Sequence, residues 1–286
     1  MDHVAIRKTA IQAIFSDEVL TENLLLKGGN ALEIGLGIIS RGSYDLDFSI
    51  PDAFKDVDEI SRRIFAVLKA RFDAHGLCVI DERFEVKPPA VADDETPWWG
   101  GYRASFKLLS KRHHEELLSR PDKASIEALT IAGGQDRTFV IDISKYEYCG
   151  DRQAVDLDGC IIWLYTPAML AIEKLRAICQ QMPAYAQLKN KRPRARDFYD
   201  IHAIVSKLAV DLSQPSSREL CRTIFAAKQV PVALLAKIGE PSVREYHRLG
   251  WPRVAASVVG SVPAEFDFYF NFTAGEALKL QPLRIE

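Results

Sequence analysis

The sequence has no dominant charge. Lysine and arginine number 37 against 39 aspartates and glutamates, a net charge of −2. No global positive field therefore recruits nucleic acid, and any such contact must come from a local patch. Cysteine is scarce. The five cysteines, Cys78, Cys149, Cys160, Cys179 and Cys221, are widely spaced, odd in number and form no CxxC. That argues against a zinc site or a disulfide framework and fits a reducing cytoplasm. No apolar run approaches membrane-spanning length, the opening MDHVAIRKTA has no apolar signal core, and there is no repeat or low-complexity tract. What is present is 286 residues that are 48% hydrophobic, enough to bury one large core or two smaller ones and too apolar for global disorder.

The stretch Leu24 to Ile50, LLLKGGNALEIGLGIISRGSYDLDFSI, organises the chain. Leu24 to Leu26 read as a strand entering a turn at Gly28 and Gly29, with a helical segment opening at Asn30. A loop with Arg41 and Ser43 leads to a second strand, Tyr44 to Ile50. Side chains alternate along a strand, so Asp45 and Asp47 share one face while Leu46, Phe48 and Ile50 share the other. Two neighbouring carboxylates raise each other's pKa unless a cation sits between them. Mg²⁺ suits such an oxygen pair and also takes phosphate oxygens. Backbone N–H groups at Gly28 and Gly29 suit phosphate at a helix start. Asp-x-Asp or Gly-Gly alone would mark no more than a solvated strand end or a turn; the ordered combination is what carries weight.

That combination resembles the polymerase-beta-type nucleotidyltransferases. The string Lys27-Gly28-Gly29-Asn30-Ala31-Leu32, followed by Arg41-x-Ser43-x-Asp45-Leu46-Asp47-Phe48, resembles the AbiEii/AbiGii toxin family within them. A second block, Glu173-Lys174-Leu175-Arg176-Ala177 and then Arg194-x-Arg196-Asp197-x-Tyr199-Asp200, is similar to the second half of the AbiEii pattern. The resemblance covers roughly Leu24 to Lys207. It implies an α+β fold with a small mixed sheet flanked by helices, an NTP substrate and Mg²⁺. It makes Asp45, Asp47, Lys174 and Asp197 catalytic, with Asp45 and Asp47 on the metal. Gly28, Gly29, Arg41, Ser43 and Lys174 would bind nucleotide. Arg41 either meets the phosphates or braces the loop before the Asp strand. Asp197 accepts a proton, holds a second ion or orients Lys174.

The rest of the chain supplies the frame. Residues 4–20 read as one helix and 53–74 as an amphipathic helix. Leu77 to Val86 and Tyr102 to Leu109 alternate as strands, with a loop over 90–101 between them, and Lys111 to Arg120 reads as a charged helix. Thr138 to Ser144 is a strand whose Asp142 either adds a third metal-binding carboxylate or merely ends a strand beside a loop. Cys160 to Tyr165 is a last strand. From Pro167, with Thr166 as cap, the pattern turns helical. Residues 1–166 thus form a nucleotidyltransferase core domain, and 167–286 a helical domain contributing Lys174 and Asp197 to the active-site cleft. An aromatic cluster, Phe266, Phe268, Tyr269, Phe270 and Phe272, fits core packing of the last helix.

Lys189, Lys191, Arg192, Arg194 and Arg196 make a basic run around Pro193. At least three should face solvent and contact an RNA backbone, with Arg196 turned inward beside Asp197. The resemblance implies a toxin of a toxin–antitoxin pair, with an antitoxin encoded nearby, adding nucleotides to the 3′ end of tRNA in the cytoplasm. Two other readings share the core: a small-molecule nucleotidyltransferase of the aminoglycoside-modifying kind, and a catalytically idle protein that binds nucleotide or a partner.

Overall fold

The computed structural model describes residues 1–38, 45–88, 99–131, 136–259 and 263–281. Arg41, Ser43, Tyr44 and most of the 90–101 loop lie outside these described residues. The chain divides into two compact units, Met1–Gly35 with Ser43–Leu164, and Leu36–Gly42 with Tyr165–Glu286.

The first unit opens with α1 (His3–Ile14) and α2 (Glu18–Asn23). The single helix expected over residues 4–20 is broken because Asp17 starts a new one, its carboxylate accepting the Leu20 N–H at 3.0 Å. Strand β1 (Leu25–Lys27) runs into a helical turn, α3 (Gly28–Asn30), which opens two residues before Asn30 and continues as a π turn, Ala31–Gly35. Then come β2 (Leu46–Ser49), α4 (Val57–Asp73), β3 (Leu77–Lys87), β4 (Gly101–Ser110), α5 (Lys111–Glu116), α6 (Pro121–Glu127), β5 (Phe139–Ser144), β6 (Arg152–Leu157) and β7 (Cys160–Tyr165). The charged helix expected to reach Arg120 stops at Glu116.

The strands form one mixed seven-stranded sheet in the order β3-β4-β5-β2-β1-β7-β6. β2 pairs antiparallel with β1 and parallel with β5. Strand β6 was not legible as a strand. It alternates exposed and half-buried positions at the sheet edge, and it joins β7 through Asp158 and Gly159, both in the left-handed region at φ 52° and 81°. A two-residue turn with that backbone matches strand twist and favours Asp-Gly.

One face of the sheet is apolar. Leu46 and Phe48 of β2 are 3% and 0% exposed, Phe48 meets the Phe15 ring at 6.1 Å, and Phe72 of α4 meets Phe106 of β4 at 6.0 Å. Helix α4 starts where the Asp56 carboxylate accepts the Glu59 N–H at 2.8 Å, and it buries Ile60, Ile64, Phe65, Leu68 and Phe72 at helical spacing. Apolar burial on this face leaves the polar residues of the same strands on the other.

The second unit is helical: α7 (Pro167–Cys179), α8 (Ala195–Lys207), α9 (Pro215–Ala226), a 3₁₀ turn (Val232–Lys237), α10 (Pro241–Arg248), α11 (Trp251–Ser257) and α12 (Phe266–Lys279). Thr166 caps α7, its hydroxyl accepting the Met169 N–H at 3.3 Å, and Pro167 takes the first turn as expected. Ile38 is tied to this unit by Lys207, whose ammonium donates to the Ile38 carbonyl at 2.7 Å. The core holds Phe198 between Phe266 and Phe270, with ring centroids at 5.3 and 5.8 Å. Three of the five clustered aromatics of α12, Phe266, Tyr269 and Phe270, are buried, while Phe268 is exposed. The class is the α+β class read from the sequence, with a sheet larger than expected and a helical second half.

Candidate active site

The site begins at the turn after β1. Gly28 has φ 67°, and a Cβ built there would overlap the Asp47 carboxylate oxygen Oδ2. Backbone and carboxylate are therefore in contact, and only glycine satisfies both the conformation and the space. Lys27 pairs in register with Asp47 across β1 and β2.

The register extends this contact into a row. Asp47 lies opposite Asp142 on parallel β5, Asp142 lies opposite Arg103 on β4, and Arg103 lies opposite Glu85 on β3. Residues opposite one another in a ladder share a face. Lys27, Asp47, Asp142, Arg103 and Glu85 thus run side by side across five adjacent strands. Arg103 grips Asp142 with a two-pronged fork, Nε to Oδ1 at 2.7 Å and Nη2 to Oδ2 at 2.8 Å. That bond, against a smaller opposing effect of burial and with help from the charges of Asp142, Asp45 and Glu85, holds the guanidinium pKa above its usual value. Lys27 also reaches Glu147, a pair separated by 3.4 Å and buried on both sides.

Asp45 stands at the mouth of β2 rather than within it, since the strand opens at Leu46. Its side chain is exposed, but its main chain is anchored. The buried Asn30 amide donates to the Asp45 carbonyl at 2.7 Å, Arg7 of α1 donates to Asn30 Oδ1 at 2.5 Å, and Arg7 pairs with Glu33 at 2.7 Å. This brace crosses from the first helix to the Asp strand.

Asp45 and Asp47 offer an oxygen pair of the type Mg²⁺ takes together with phosphate oxygens. Among the described residues no group of three or more His, Cys, Asp or Glu is arranged to hold a metal ion. A divalent cation fits the Asp45–Asp47 pair by donor chemistry, and Gly28 brings backbone against the same carboxylate.

The second unit holds another carboxylate centre. Lys174 of α7 lies between Asp197 and Asp200 of α8, at 3.1 and 2.7 Å, and all three side chains are 5% exposed or less. Asp197 also accepts from Arg194 Nε at 2.6 Å. Burial alone would raise the Asp197 pKa; the Arg194 and Lys174 charges and their hydrogen bonds outweigh it and hold the carboxyl well below the usual range. The Arg194 N–H donates to His247 Nδ1 at 2.8 Å, and burial pushes the His247 pKa down to about 4, with Arg194 lowering it and Asp197 opposing. The pair Lys174 and Asp197 read from the sequence is thus brought together. Asp200 proves as close to Lys174 and more deeply buried.

The basic run divides. Lys189, Arg192 and Arg196 are exposed. Lys191 donates to the carbonyls of Met182 and Tyr185, and Arg194 holds Asp197. The inward residue is therefore Arg194 and not Arg196. Residues three apart on a helix face one another, whereas adjacent ones do not, so Arg194 meets Asp197 and Arg196 points away. Arg7, Arg103, Glu147 and His247 were missed. Nothing local marks them, because each acts through a partner remote in sequence. Only Asn30, inside the Lys-Gly-Gly-Asn string, stood where a motif pointed.

The sequence profile of the family described as "Nucleotidyl transferase AbiEii toxin, Type IV TA system" matches residues 9–272. No curated protein sequence matches the chain significantly. Among solved structures, it is similar to a putative nucleotidyltransferase from H. pylori, with 13% identity, TM-score 0.45, 97% of this chain and 92% of that one covered. It is also similar to an antigenic nucleotidyltransferase-like protein from Paracoccidioides brasiliensis, with 12% identity, TM-score 0.39, and 78% and 92% covered.

Proposed function

The chain belongs to the AbiEii family of nucleotidyl transferase toxins of type IV toxin–antitoxin systems, and from that premise we propose an Mg²⁺-dependent transfer from an NTP to the 3′ end of tRNA in the cytoplasm, blocking translation. The observation that supports the chemistry is the Asp45–Asp47 pair at the mouth of β2, with the Gly28 backbone packed against Asp47. Gly28 and Gly29 offer backbone amides to the triphosphate, and Arg41 and Ser43 add a cation and a hydroxyl. Asp45 and Asp47 hold the metal. Mg²⁺, when bound, neutralises phosphate charge and fixes the line of attack. An acceptor hydroxyl oxygen bonds to the α-phosphorus, the bond to the β-phosphate oxygen breaks, pyrophosphate leaves and the hydroxyl proton is released. The family resemblance also gives Lys174 and Asp197 a part in the chemistry; in the second unit they form a buried cluster with Asp200. Lys189, Arg192 and Arg196, the exposed residues of the basic run, are those that meet an RNA backbone in this reading.

The test is incubation with each labelled NTP and total tRNA, for the wild type and for Asp45→Asn and Asp47→Asn. Label on tRNA that disappears in both variants is the expected result. Turnover only with small acceptors would replace the tRNA reading by the aminoglycoside-type one, and nucleotide binding without turnover would leave a binding protein. Lys189→Ala, Arg192→Ala and Arg196→Ala together should flatten the salt dependence of tRNA binding by up to about one logarithmic unit per lost contact. An unchanged slope would remove the basic run from the RNA interface.

A further inference from the structure

We propose that Arg103 is the resident counter-ion of Asp142, keeping this carboxylate out of metal coordination so that Asp45 and Asp47 alone bind the divalent cation. The inference rests on the metal reading above.

Asp47 and Asp142 occupy opposed positions on adjacent parallel strands. Strands in a sheet lie about 4.8 Å apart, so two like charges placed this way repel. Such a pair is stable only with positive charge close by, and two sources are chemically available, a metal ion or a side chain. For Asp142 the side chain is built in. Both of its oxygens are taken by the Arg103 fork at 2.7 and 2.8 Å, from the strand on the far side of Asp47. A planar guanidinium matches a carboxylate in this geometry and holds it in one orientation. The fork occupies one lone pair on each oxygen and places a fixed positive charge against them, so a cation would have to bind the remaining lone pairs against that charge.

Position argues against a merely ornamental surface pair. Arg103 and Asp142 are 42% and 30% exposed, and an isolated pair of that kind contributes little to stability. This one is the central step of the Lys27–Asp47–Asp142–Arg103–Glu85 row. The charge of Asp45 also acts on Arg103. Arg103 thus sits electrostatically within reach of Asp45, one of the two candidate metal ligands, while bonding Asp142. It is a positioning residue: it decides how many carboxylates the site presents to a cation.

The test is Mn²⁺ binding to the full chain without nucleotide, followed by electron paramagnetic resonance, with circular dichroism reporting the fold. Arg103→Met frees Asp142 and removes a repelling charge, and should tighten Mn²⁺ binding by about tenfold or more. Arg103→Met combined with Asp142→Asn removes the pair as a neutral unit and should bind Mn²⁺ within about twofold of the wild type. A double variant that loses about tenfold or more shows Asp142 to be a ligand already and overturns the inference. So does an Arg103→Met variant that binds no tighter. Asp47→Asn separates this from failure of the underlying reading. If it leaves Mn²⁺ affinity intact, the metal site itself is wrong and both ideas fall. If it abolishes binding while the arginine variants misbehave, only the role of Arg103 falls.

Discussion

Asp45 and Asp47 stand where solvent reaches them, one exposed and one half-buried, whereas Asp197 and Asp200 are sealed at 4% and 0% exposure. Both pairs must live with mutual repulsion, and they do so by different means. In the second unit the neutralising charges are permanent side chains, Lys174 and Arg194, fixed at hydrogen-bonding distance. In the first unit solvent reaches the pair, and an arginine fork grips their neighbour Asp142. The contrast teaches that a carboxylate pair is equipped for ligand traffic by what water and ions can reach, not by the presence of two acids. It also means that loss of activity on removing Lys174 cannot by itself prove a chemical role, because the same change breaks a buried charge cluster.

The largest expected effect follows from that cluster. Lys174→Ala removes the ammonium that lies between two buried carboxylates and should cost about 3–5 kcal/mol in urea unfolding. Replacing Lys174 by Met with Asp197→Asn and Asp200→Asn should cost much less. Equal losses in the two proteins would erase the distinction between the buried and the accessible pair.

Next in size is a pH effect confined to the second unit. The His247 pKa is lowered to about 4 in the folded protein, so the unfolded chain takes up the proton first as pH falls. Stability from this group is therefore undisturbed above about pH 6.5, declines through the window down to about pH 4 by roughly 3 kcal/mol, and levels off below. Asp197 has a depressed folded pKa, so its contribution is present above the ordinary carboxylate pKa and is lost only at more acid pH. Unfolding free energy measured across pH 7 to 4 should show the slope in the wild type and lose most of it in His247→Gln, the rest coming from His202, whose pKa burial also lowers. A slope that survives at full size would assign it elsewhere.

Smaller changes probe the first unit. Asn30→Ala removes the link between Arg7 and the Asp45 carbonyl and leaves buried donors behind, at about 1–3 kcal/mol. Nucleotide transfer should fall further than in an equally destabilised core variant such as Ile64→Val. Matching losses would make the brace purely structural. Smallest of all, Asp47→Asn in metal-free buffer should move stability by less than about 1 kcal/mol, because the repulsion from Asp142 is relieved as charge is lost. A drop as large as that of Lys174→Ala would show that the two aspartate pairs are alike after all.

How much of this was legible in the sequence differs between the two kinds of residue. Asp45, Asp47 and Gly28 were legible as a pattern: two acids two residues apart at the start of a strand, after a glycine pair at the preceding turn. The Thr166–Pro167 start of α7 and the helices after it follow from capping and period alone. Lys174 and Asp197 came from the resemblance to the family rather than from spacing. Arg103 and Arg7 were invisible because their partners are fixed by strand register and tertiary packing, which no window of sequence contains. Arg196 was read as inward because it adjoins Asp197, and helix geometry gave that place to Arg194. Strand β6 was missed for want of apolar alternation, although its Asp158-Gly159 turn was written in the sequence.

The parallel pairing of β2 with β5 also sets a schedule for synthesis. A ribosome delivers Asp45 and Asp47 early, but the strand that seats Asp47 beside Asp142, and that aligns Arg103, emerges only after most of the first unit has been made. Pairing between such distant segments cannot precede their arrival, and loop closure over that span is slow. A nascent or truncated chain ending before Phe139 therefore carries Asp47 with β1 on one side but without the β5 strand that brings Asp142, gripped by Arg103, to the other. The finished charge row of the first unit thus exists only once β5 has left the ribosome.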